Sequence, residues 1–220
     1  MILAAGLGTR MRPLTDVTPK PLLKAGGIPL IVWHLDKLAH YGFKKVVINI
    51  AHLGYKIPEA LGDGSEWGLN IRYSDEQEEG GLESAGGIVK ALPLLEDGDP
   101  FLVVNSDIWT DYDFDASLSL SEGILAHLIL VPNPEHNPKG DFALLEGKVV
   151  DNPCYTFSGI GYYSPKLFAD VPYGKSALAP LLRQAMREGK VTGELYEGEW
   201  YDIGTPQRLE MLNARLFNSN

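Results

Sequence analysis

Residues 3–15 read Leu-Ala-Ala-Gly-Leu-Gly-Thr-Arg-Met-Arg-Pro-Leu-Thr, and Pro-Lys-Pro-Leu follows at residues 19–22. An apolar strand over Met1–Ala5 is predicted to run into this loop of small residues. The loop would then present backbone N–H groups at the carboxyl end of a parallel sheet, where α/β proteins bind ligands. Because glycines let the backbone approach a phosphate closely, the stretch predicts a phosphate-binding loop in an α/β protein.

Two common phosphate-binding motifs do not fit this loop. A dinucleotide-binding fingerprint needs a third glycine where Met11 stands. A P-loop around Gly174-Lys175-Ser176 needs a glycine where Ala169 stands. The alternative is a tight surface loop without a ligand. Against that alternative, the segment concentrates positive charge in an acidic chain, at Arg10, Arg12 and Lys20.

Apolar runs and amphipathic stretches alternate along the chain. Runs rich in Val, Ile and Leu predict buried strands over Met1–Ala5, Val46–Ile50, Phe101–Asn105 and Ala126–Val131. Apolar residues at helical spacing predict helices over Leu30–Tyr41, Gly86–Leu95 and Leu178–Glu188. Because strands and helices alternate, the sheet is expected to be mostly parallel, with helices packed against it.

The pattern changes after about residue 130. Phe142–Leu145 and Lys148–Val150 flank Glu146-Gly147 and predict a hairpin, followed by a strand over Tyr155–Tyr163. Thr205-Pro206 is typical of the cap and first turn of a last helix. We therefore predict one domain over residues 1–220, an α/β fold with a Rossmann-like, mixed but mostly parallel sheet flanked by helices. Antiparallel strands are added in the second half.

Composition limits the classes of partner. The 220 residues include 19 Lys and Arg against 29 Asp and Glu, a formal charge of −10, which disfavours nucleic acid as a partner. Cys154 is the single cysteine, so an intramolecular disulfide is excluded and a reducing cytoplasm is the expected compartment. No stretch approaches the roughly 18 apolar residues of a membrane span, and a soluble protein with no membrane partner is expected.

The opening loop, together with Pro-Lys-Pro-Leu, resembles the signature of the sugar-1-phosphate nucleotidylyltransferases. The resemblance implies a GT-A-like nucleotidyltransferase fold that holds a nucleoside triphosphate, with Arg10 clamping the leaving pyrophosphate and Lys20 against the reacting phosphates. A guanidinium binds two oxygens of a pyrophosphate at once, whereas a lysine is a movable point charge. The nucleotide-binding residues that the resemblance implies are Leu3, Ala4, Ala5, Gly6, Gly8, Thr9, Glu83, Ala85 and Gly86.

Two carboxylates stand where the family binds a metal. Asp107 ends the apolar run Val103-Val104-Asn105-Ser106-Asp107, and Asp202 precedes the last helix in Trp200-Tyr201-Asp202-Ile203-Gly204-Thr205-Pro206. From the residues alone, an aspartate in the position of Asp107 is more often a turn residue or a helix cap, and Asp202 could cap the helix that follows it. By resemblance, Asp107 and Asp202 bind Mg²⁺, the expected cofactor. Two carboxylates suit Mg²⁺, because this ion keeps waters and takes further oxygens from substrate phosphates.

The segment Glu79–Gly87 opens the second predicted helix and differs from most of the family. Many members have Leu-Gly-Thr-Ala-Gly here to read the base, whereas this chain has Glu83 and Ser84 in place of Gly and Thr. Taken alone, the segment could be a flexible loop and cap. The departure resembles the branch that transfers uridylyl groups to N-acetylmuramic acid 1-phosphate in peptidoglycan recycling. The implied substrates are therefore UTP and that sugar 1-phosphate, with UDP-N-acetylmuramic acid and pyrophosphate as products.

The resemblance assigns residues 1–125 to the nucleotide and residues 126–220 to the sugar. The sugar-binding residues that it implies are Asn105, Lys139, Gly140, Asp141, Asp151, Ser158 and Gly159. Related thymidylyl enzymes have Glu-Lys-Pro in the sugar site, and the aligned run here is Asp151-Asn152-Pro153. The lysine that would neutralise the sugar phosphate is therefore absent, and Lys139, Lys175 or the metal are the candidate substitutes.

Two other functions stay open. One is a mannose-1-phosphate guanylyltransferase or another hexose-1-phosphate nucleotidylyltransferase, and the other is a non-catalytic nucleotide-sugar sensor. The joint presence of Arg10, Lys20, Asp107 and Asp202 favours an enzyme, because a sensor does not need the full set. No hexapeptide repeat of the β-helix kind is visible, which favours a monomer.

Overall fold

The computed structural model describes residues 1–95 and 100–218. Within these residues the elements follow in the order β1 (Ile2–Leu3), β2 (Lys24–Ala25), β3 (Ile28–Pro29), α1 (Leu30–His40), β4 (Lys45–Ile50), α2 (Lys56–Leu61), β5 (Asn70–Asp75), α3 (Glu83–Ala91), β6 (Phe101–Asn105), β7 (Ile108–Thr110), β8 (Ala126–Val131), β9 (Phe142–Leu145), β10 (Lys148–Tyr163), α4 (Leu178–Arg187), β11 (Val191–Leu195), β12 (Trp200–Asp202) and α5 (Pro206–Phe217). None of the described helices combines the length and the apolar character needed to cross a membrane.

One mixed sheet runs through both halves of the chain. Its strand order is β11-β8-β10-β6-β1-β4-β5, with β9 paired to β10. The pairs β1–β4, β1–β6, β4–β5 and β8–β11 are parallel, whereas β10 is antiparallel to β6 and β8. The predicted fold class, a mostly parallel sheet with antiparallel strands from the second half, is confirmed.

The strands and helices predicted up to residue 131 are present, and some of their ends are shifted. Phe101–Asn105 and Ala126–Val131 are strands with the predicted bounds. β1 is shorter than predicted because the Ala4 N–H donates to Asn49 Oδ1 at 2.7 Å and so does not extend the ladder. The second predicted helix is α3, and it begins at Glu83 rather than Gly86. It is followed by a 3₁₀ turn over Leu92–Leu94, which contains a proline.

The second half differs more from the prediction. The hairpin around Glu146-Gly147 is confirmed, but Lys148–Val150 and Tyr155–Tyr163 form one strand, β10, rather than two. The sequence patterns also did not reveal β11, which is interrupted by Gly193, or, in the first half, β5, which alternates polar and buried residues at the sheet edge. The register of β10 against β8 shifts between Phe157 and Ile160, a bulge that bends the strand beside the end of β6.

Helices cover both faces of the sheet. Buried side chains of α3 and α4, such as Ile88 and Leu182, pack into one core cluster. Buried side chains of α1 and α2, such as Leu35 and Ile57, pack into another on the opposite face. A third cluster joins Leu209 and Leu212 of α5 to loop residues near the start of the chain. The ends of β1, β6 and β12 are thereby held close to one another.

A buried histidine on α1 makes the stability depend on pH. His34 is 1% exposed, and its Nε2 donates to the Ile108 carbonyl oxygen at 2.9 Å. Burial lowers the pKa of His34 to about 4 from its ordinary value of 6.5. Because the folded pKa is depressed, the fold holds the neutral form. The resulting stability is fully present above pH 6.5 and is lost as the pH falls towards 4.

The expected contribution of His34 to the free energy of unfolding falls by about 2 to 3 kcal/mol between pH 7 and pH 4.5. Urea unfolding of His34→Gln at both pH values should show a pH dependence smaller by that amount than in wild type. His40→Gln is the matched control, because His40 lies exposed on the same helix. Equal pH dependence in wild type and His34→Gln would contradict the role of His34.

Candidate active site

A cavity of about 460 Å³ opens at the carboxyl ends of β1 and β6. Most of the residues that the resemblance assigned to the nucleotide line it, together with Asn105 and Asp107. The lining residues are Leu3, Ala4, Ala5, Gly6, Leu7, Gly8, Thr9, Arg10, Met11, Lys20, Pro21, Asn49, Glu76, Leu82, Glu83, Ser84, Asn105, Ser106, Asp107 and Gly204. The structure thus brings Arg10, Lys20 and Asp107 to one concave surface.

The loop after β1 is held in place by contacts with Thr15 and with the third core cluster. Gly8 has φ +64°, and a Cβ there would lie 2.8 Å from Thr15 Cγ2, so only glycine fits. Thr15 Oγ1 donates to the Gly8 carbonyl oxygen at 2.7 Å. Met11, which replaces the third glycine of a dinucleotide-binding loop, is fully buried in the cluster that contains Leu212. These contacts fix the course of the loop before any ligand binds.

Lys20 and Asp107 form an ion pair at the floor of this cavity. Lys20 Nζ donates to Asp107 Oδ2 at 2.5 Å, and the two side chains are 10% and 32% exposed. Lys20 is placed by a 3₁₀ turn over Lys20–Leu22, whereas Asp107 follows β6. A largely buried lysine charge beside a phosphate-binding loop can neutralise a bound anion without first being drawn out of water.

Asp202 reaches the same edge through a short pair of strands. β12 pairs with β7 in antiparallel register, and the Ile203 N–H donates to the Asp107 carbonyl oxygen at 2.8 Å. Asp202 Oδ2 accepts from Arg208 Nη1 at 2.7 Å, and His136 Nε2 lies 2.9 Å from the same oxygen. Asp202 is thus adjacent to Asp107 in the backbone, although its carboxylate contacts Arg208 and His136 and is not part of the cavity lining.

The pair of carboxylates fits the donor chemistry of Mg²⁺. Asp107, just before β7, and Asp202, on its partner strand β12, could supply hard oxygen ligands to an ion that is shared with phosphates. No group of three or more His, Cys, Asp or Glu side chains in residues 1–95 and 100–218 could hold a metal ion. Any ion bound here would therefore need substrate oxygens or waters to complete its shell.

Asn49 and Glu76 connect the two loops that line this cavity. Glu76 is fully buried, and its carboxylate accepts from Asn49 Nδ2 at 2.7 Å and from the Leu82 N–H at 2.8 Å. Asn49 Oδ1 in turn accepts from the Ala4 N–H. One chain of hydrogen bonds therefore runs from Ala4, in the loop after β1, to the start of α3 at Leu82. The sequence analysis missed both Asn49 and Glu76.

Two residues assigned to the nucleotide do not reach the cavity. The N–H groups of Ala85 and Gly86 both donate to the Ser176 carbonyl oxygen, at 2.9 and 3.1 Å. A Cβ at residue 86 would lie 2.1 Å from the Gly174 carbonyl oxygen, which explains the glycine. Ala85 and Gly86 are therefore committed to packing against residues 174–176, because their backbone donors are used within the protein.

Glu83 begins α3 in a strained conformation. Its φ is +60°, a region that costs a side chain roughly 1–2 kcal/mol relative to glycine. Glu83 and Ser84 are exposed to the cavity, so the strained turn presents a carboxylate and a hydroxyl to a ligand. Strain of this kind is concentrated at functional sites.

The loop before α3 is fastened by an ion pair. Lys90 Nζ donates to Glu79 Oε1 at 2.5 Å, and the hydroxyl of Tyr173 donates to the same oxygen. The Lys90 ammonium, followed by the Tyr173 hydroxyl, holds the pKa of Glu79 at about 2. This carboxylate therefore stays ionised at neutral pH, and the loop remains joined to α3 and to the segment around Tyr173.

A second cavity of about 490 Å³ adjoins the first. Glu83, Ser84 and Asn105 line both of them. Its remaining lining is apolar, from Phe142, Phe157, Ala177, Leu178, Ala179 and Leu182. Gly159 has φ +81°, and a Cβ there would lie 2.6 Å from Asn105 Nδ2. The bulge in β10 thus sets the position of Asn105 at the junction of the cavities.

Several residues assigned to the sugar organise the loop after β8. Asp141 Oδ2 accepts from the Phe157 N–H at 2.9 Å and from Asn137 Nδ2 at 3.2 Å. A Cβ at Gly140 would collide with the backbone of residues 154–155, at 2.7 Å from the Cys154 carbonyl carbon. Both residues therefore fasten the loop to β10, beside Phe157 of the second cavity.

The other sugar-site residues are scattered. Ser158 is 1% exposed and its hydroxyl donates to the Ile129 carbonyl oxygen at 2.7 Å, so it stabilises the bulge and its side chain does not face a ligand. Asp151 accepts from Arg183 Nε at 2.9 Å on the surface. Lys139 is exposed in the loop after β8. The structure therefore brings Asn105 and Gly159 together, but not Asp151 or Lys139, at the second cavity.

Comparison with known proteins identifies the family. The model of the nucleotidyl transferase family matches residues 1–142. The chain belongs to the nucleotidyl transferase family. It is 54% identical to N-acetylmuramate alpha-1-phosphate uridylyltransferase of Neisseria meningitidis serogroup B, over 97% of this chain and 96% of the relative. It is 33% identical to the protein of the same name from Caulobacter vibrioides, over 98% and 96%.

Solved structures share the nucleotidyl transferase fold. A Bacillus anthracis protein assigned as a glucose-1-phosphate thymidylyltransferase superposes with a TM-score of 0.85 at 24% identity, over 100% of this chain and 95% of that one. The CTP:phosphocholine cytidylyltransferase of Streptococcus pneumoniae gives 0.76 at 20% identity, over 98% and 97%. At these identities the likeness shows the fold alone. Two proteins named for different substrates thus share this architecture.

Sequence reasoning about this nucleotidyl transferase missed four polar residues around the site. Asn49 lies near the end of β4, and Glu76 directly follows β5. Both are at the carboxyl edge of the sheet, a position that could have drawn attention to them. His136 and Arg208 carry no local signal, because they meet Asp202 only through the fold.

Proposed function

We propose that the chain is a uridylyltransferase that forms UDP-N-acetylmuramic acid and pyrophosphate from UTP and N-acetylmuramic acid 1-phosphate. The proposal is supported by the relative of that name, which is 54% identical over 97% of this chain. It assigns the protein to the cytoplasm and to peptidoglycan recycling, where a cell-wall sugar is returned to its nucleotide-activated form.

The observation that carries this proposal is the pair of adjoining cavities. The first has a glycine loop with Arg10 and Lys20, which suits a triphosphate. The second has an apolar lining, which suits the methyl groups of an N-acetyl and a lactyl substituent. Because Glu83, Ser84 and Asn105 line both, a nucleotide in one and a sugar in the other would meet at these residues.

The reaction needs positioning more than proton transfer. An oxygen of the sugar 1-phosphate attacks the α-phosphorus of UTP, a new P–O bond forms, and the bond from that phosphorus to the bridging oxygen breaks. The electron pair leaves with pyrophosphate. The second pKa of a phosphate monoester is about 6, so the nucleophile is largely deprotonated at neutral pH and needs no general base. The enzyme therefore has to align two anions and offset their repulsion.

Lys20 and Arg10 are the cations proposed for this task. Lys20 lies at the cavity floor, and Asp107 Oδ2 fixes the position of its Nζ at 2.5 Å. Arg10 is exposed in the loop, where a guanidinium can bind two oxygens of the departing pyrophosphate. Since the whole chain carries a charge of −10, such local cations are needed to attract three anionic species.

We further propose that Asp107 and Asp202 hold Mg²⁺. When bound, the ion would polarise phosphoryl oxygens and neutralise charge that develops on them. Asp107 would then be shared between this ion and Lys20, and its backbone contact with Ile203 would keep it beside Asp202.

The direct test incubates the purified chain with UTP and N-acetylmuramic acid 1-phosphate, with products resolved by chromatography. We expect UDP-N-acetylmuramic acid and pyrophosphate in equal amounts, loss of product in excess chelator, and recovery on addition of Mg²⁺. Parallel reactions pair GTP or dTTP with mannose 1-phosphate and glucose 1-phosphate. A product only with GTP and mannose 1-phosphate would replace the proposed substrates, and no product with any pair would favour a sensor.

A further inference from the structure

The guanidinium of Arg208 extends from Asp202 towards the first cavity. Its Nη1 donates to Asp202 Oδ2 at 2.7 Å and lies 2.8 Å from His136 Nε2. Its Nη2 lies on the other side, 2.2 Å from the position that a Cβ of residue 204 would occupy. Gly204 itself lines the cavity. Nη1 of the guanidinium is therefore hydrogen-bonded to a carboxylate, whereas Nη2 lies beside a residue that lines the first cavity.

Arg10 approaches the same point from the opposite loop. Arg10 Nη1 lies 3.3 Å from the position of that Cβ beside Gly204. Two guanidinium groups so close repel each other, unless an anion lies between or beside them. Asp202 contacts Arg208 directly, which compensates for one of the two charges. The remaining positive charge faces a cavity whose glycine loop is suited to phosphates.

The position of Arg208 is set by the fold. It lies in the first turn of α5, where Thr205 Oγ1 accepts from the Arg208 N–H at 3.4 Å. One residue further, Leu209 is buried in the third core cluster with Met11, the anchor of the phosphate loop. The side chain of Arg208 is 20% exposed, so the protein has partly removed it from water. Arg10 and Arg208 are thus each next in sequence to a residue of the third core cluster, Met11 and Leu209 respectively.

We propose that Arg208 is a second binding residue for the terminal phosphates of the nucleotide and for the departing pyrophosphate, acting as a pair with Arg10. Asp202 and His136 position Arg208 by holding its Nη1, which leaves Nη2 for a phosphate oxygen. The assignment rests on the proposed nucleotidyl transfer for its biological ligand. The anion site itself is defined by Arg10, Arg208 and the absence of a side chain at Gly204.

The test measures binding of inorganic pyrophosphate by titration calorimetry in excess EDTA, so that no metal bridge contributes. Wild type is expected to bind pyrophosphate, and Arg208→Gln to bind it about 10- to 100-fold more weakly, the loss expected when hydrogen bonds to a charged group are removed. Arg215→Gln is the matched control. Arg215 lies two turns further along α5, where it pairs with Glu199, and its replacement should leave the affinity unchanged.

A second variant keeps both arginine charges. Gly204→Ala would place a methyl group 2.2 Å from Arg208 Nη2, which must move away, so pyrophosphate binding is expected to weaken there too. Circular dichroism and thermal unfolding verify that each variant is folded. Pyrophosphate binding by folded Arg208→Gln equal to that of wild type, or no binding by wild type, would overturn the proposal. Because the readout needs no turnover, it is independent of whether UTP and N-acetylmuramic acid 1-phosphate are the substrates.

Discussion

Asp107→Asn is expected to lower kcat by about 10³-fold or more, because it removes both a proposed Mg²⁺ ligand and the partner of Lys20. Lys20→Ala should cost about 10² to 10³-fold, the range found when one preorganised charge that stabilises a transition state is lost. Steady-state rates of product formation at saturating UTP and Mg²⁺ check both values. Thermal unfolding of each variant establishes that the fold is retained.

Asp113→Asn is the matched control for Asp107. Asp107 precedes β7 and Asp113 follows it, and the Asp113 carboxylate accepts from the hydroxyl of Tyr41 outside the first cavity. Its replacement should leave kcat within about twofold of wild type. Full activity of Asp107→Asn in excess chelator would show that neither the ion nor the Lys20 pair has the role that we propose.

Gly159→Ala is expected to lower kcat/KM by about 100-fold, because its new methyl group would lie 2.6 Å from Asn105 Nδ2 and displace this side chain from the junction of the cavities. The backbone at residue 159 has φ +81°, so the substitution also introduces strain of roughly 1–2 kcal/mol. Kinetics with both substrates and a thermal unfolding curve separate the two effects.

Gly147→Ala isolates the backbone strain. Gly147 has φ +78° in the turn between β9 and β10, and a Cβ there would meet nothing within 4 Å. This variant should therefore lose stability by a similar amount as Gly159→Ala, with kcat/KM unchanged. If both variants lost activity equally, the position of Asn105 would not be the cause.

Apolar runs predicted where the cavity would open. The opening loop and Asp107 follow such runs, and parallel strands bring their carboxyl ends to one edge of a sheet, whereas Lys20 was expected there from the family resemblance. Helical spacing likewise predicted α1 and α4 to within one residue at each end, because each buries one apolar face. Elements with a dominant periodic signal are thus readable from the sequence.

Contacts between distant segments could not be predicted in this way. Arg208 and His136 meet at Asp202 although 72 residues separate them, and no local pattern marks either residue. By resemblance, Ala85 and Gly86 were expected to bind the nucleotide, but both of their N–H groups donate to the Ser176 carbonyl oxygen. Whether a small-residue helix start faces a ligand or a neighbouring segment depends on the packing of the whole chain.

The relative rates with two sugar 1-phosphates test the central claim most directly. N-acetylmuramic acid 1-phosphate and N-acetylglucosamine 1-phosphate differ only by the lactyl group, which the second cavity is proposed to accept. With UTP and Mg²⁺, we expect kcat/KM to favour the muramic acid compound by about 5- to 150-fold, as burial of the lactyl methyl group in an apolar pocket, worth about 1 to 3 kcal/mol, provides. Equal values for the two sugars would contradict the proposed substrate.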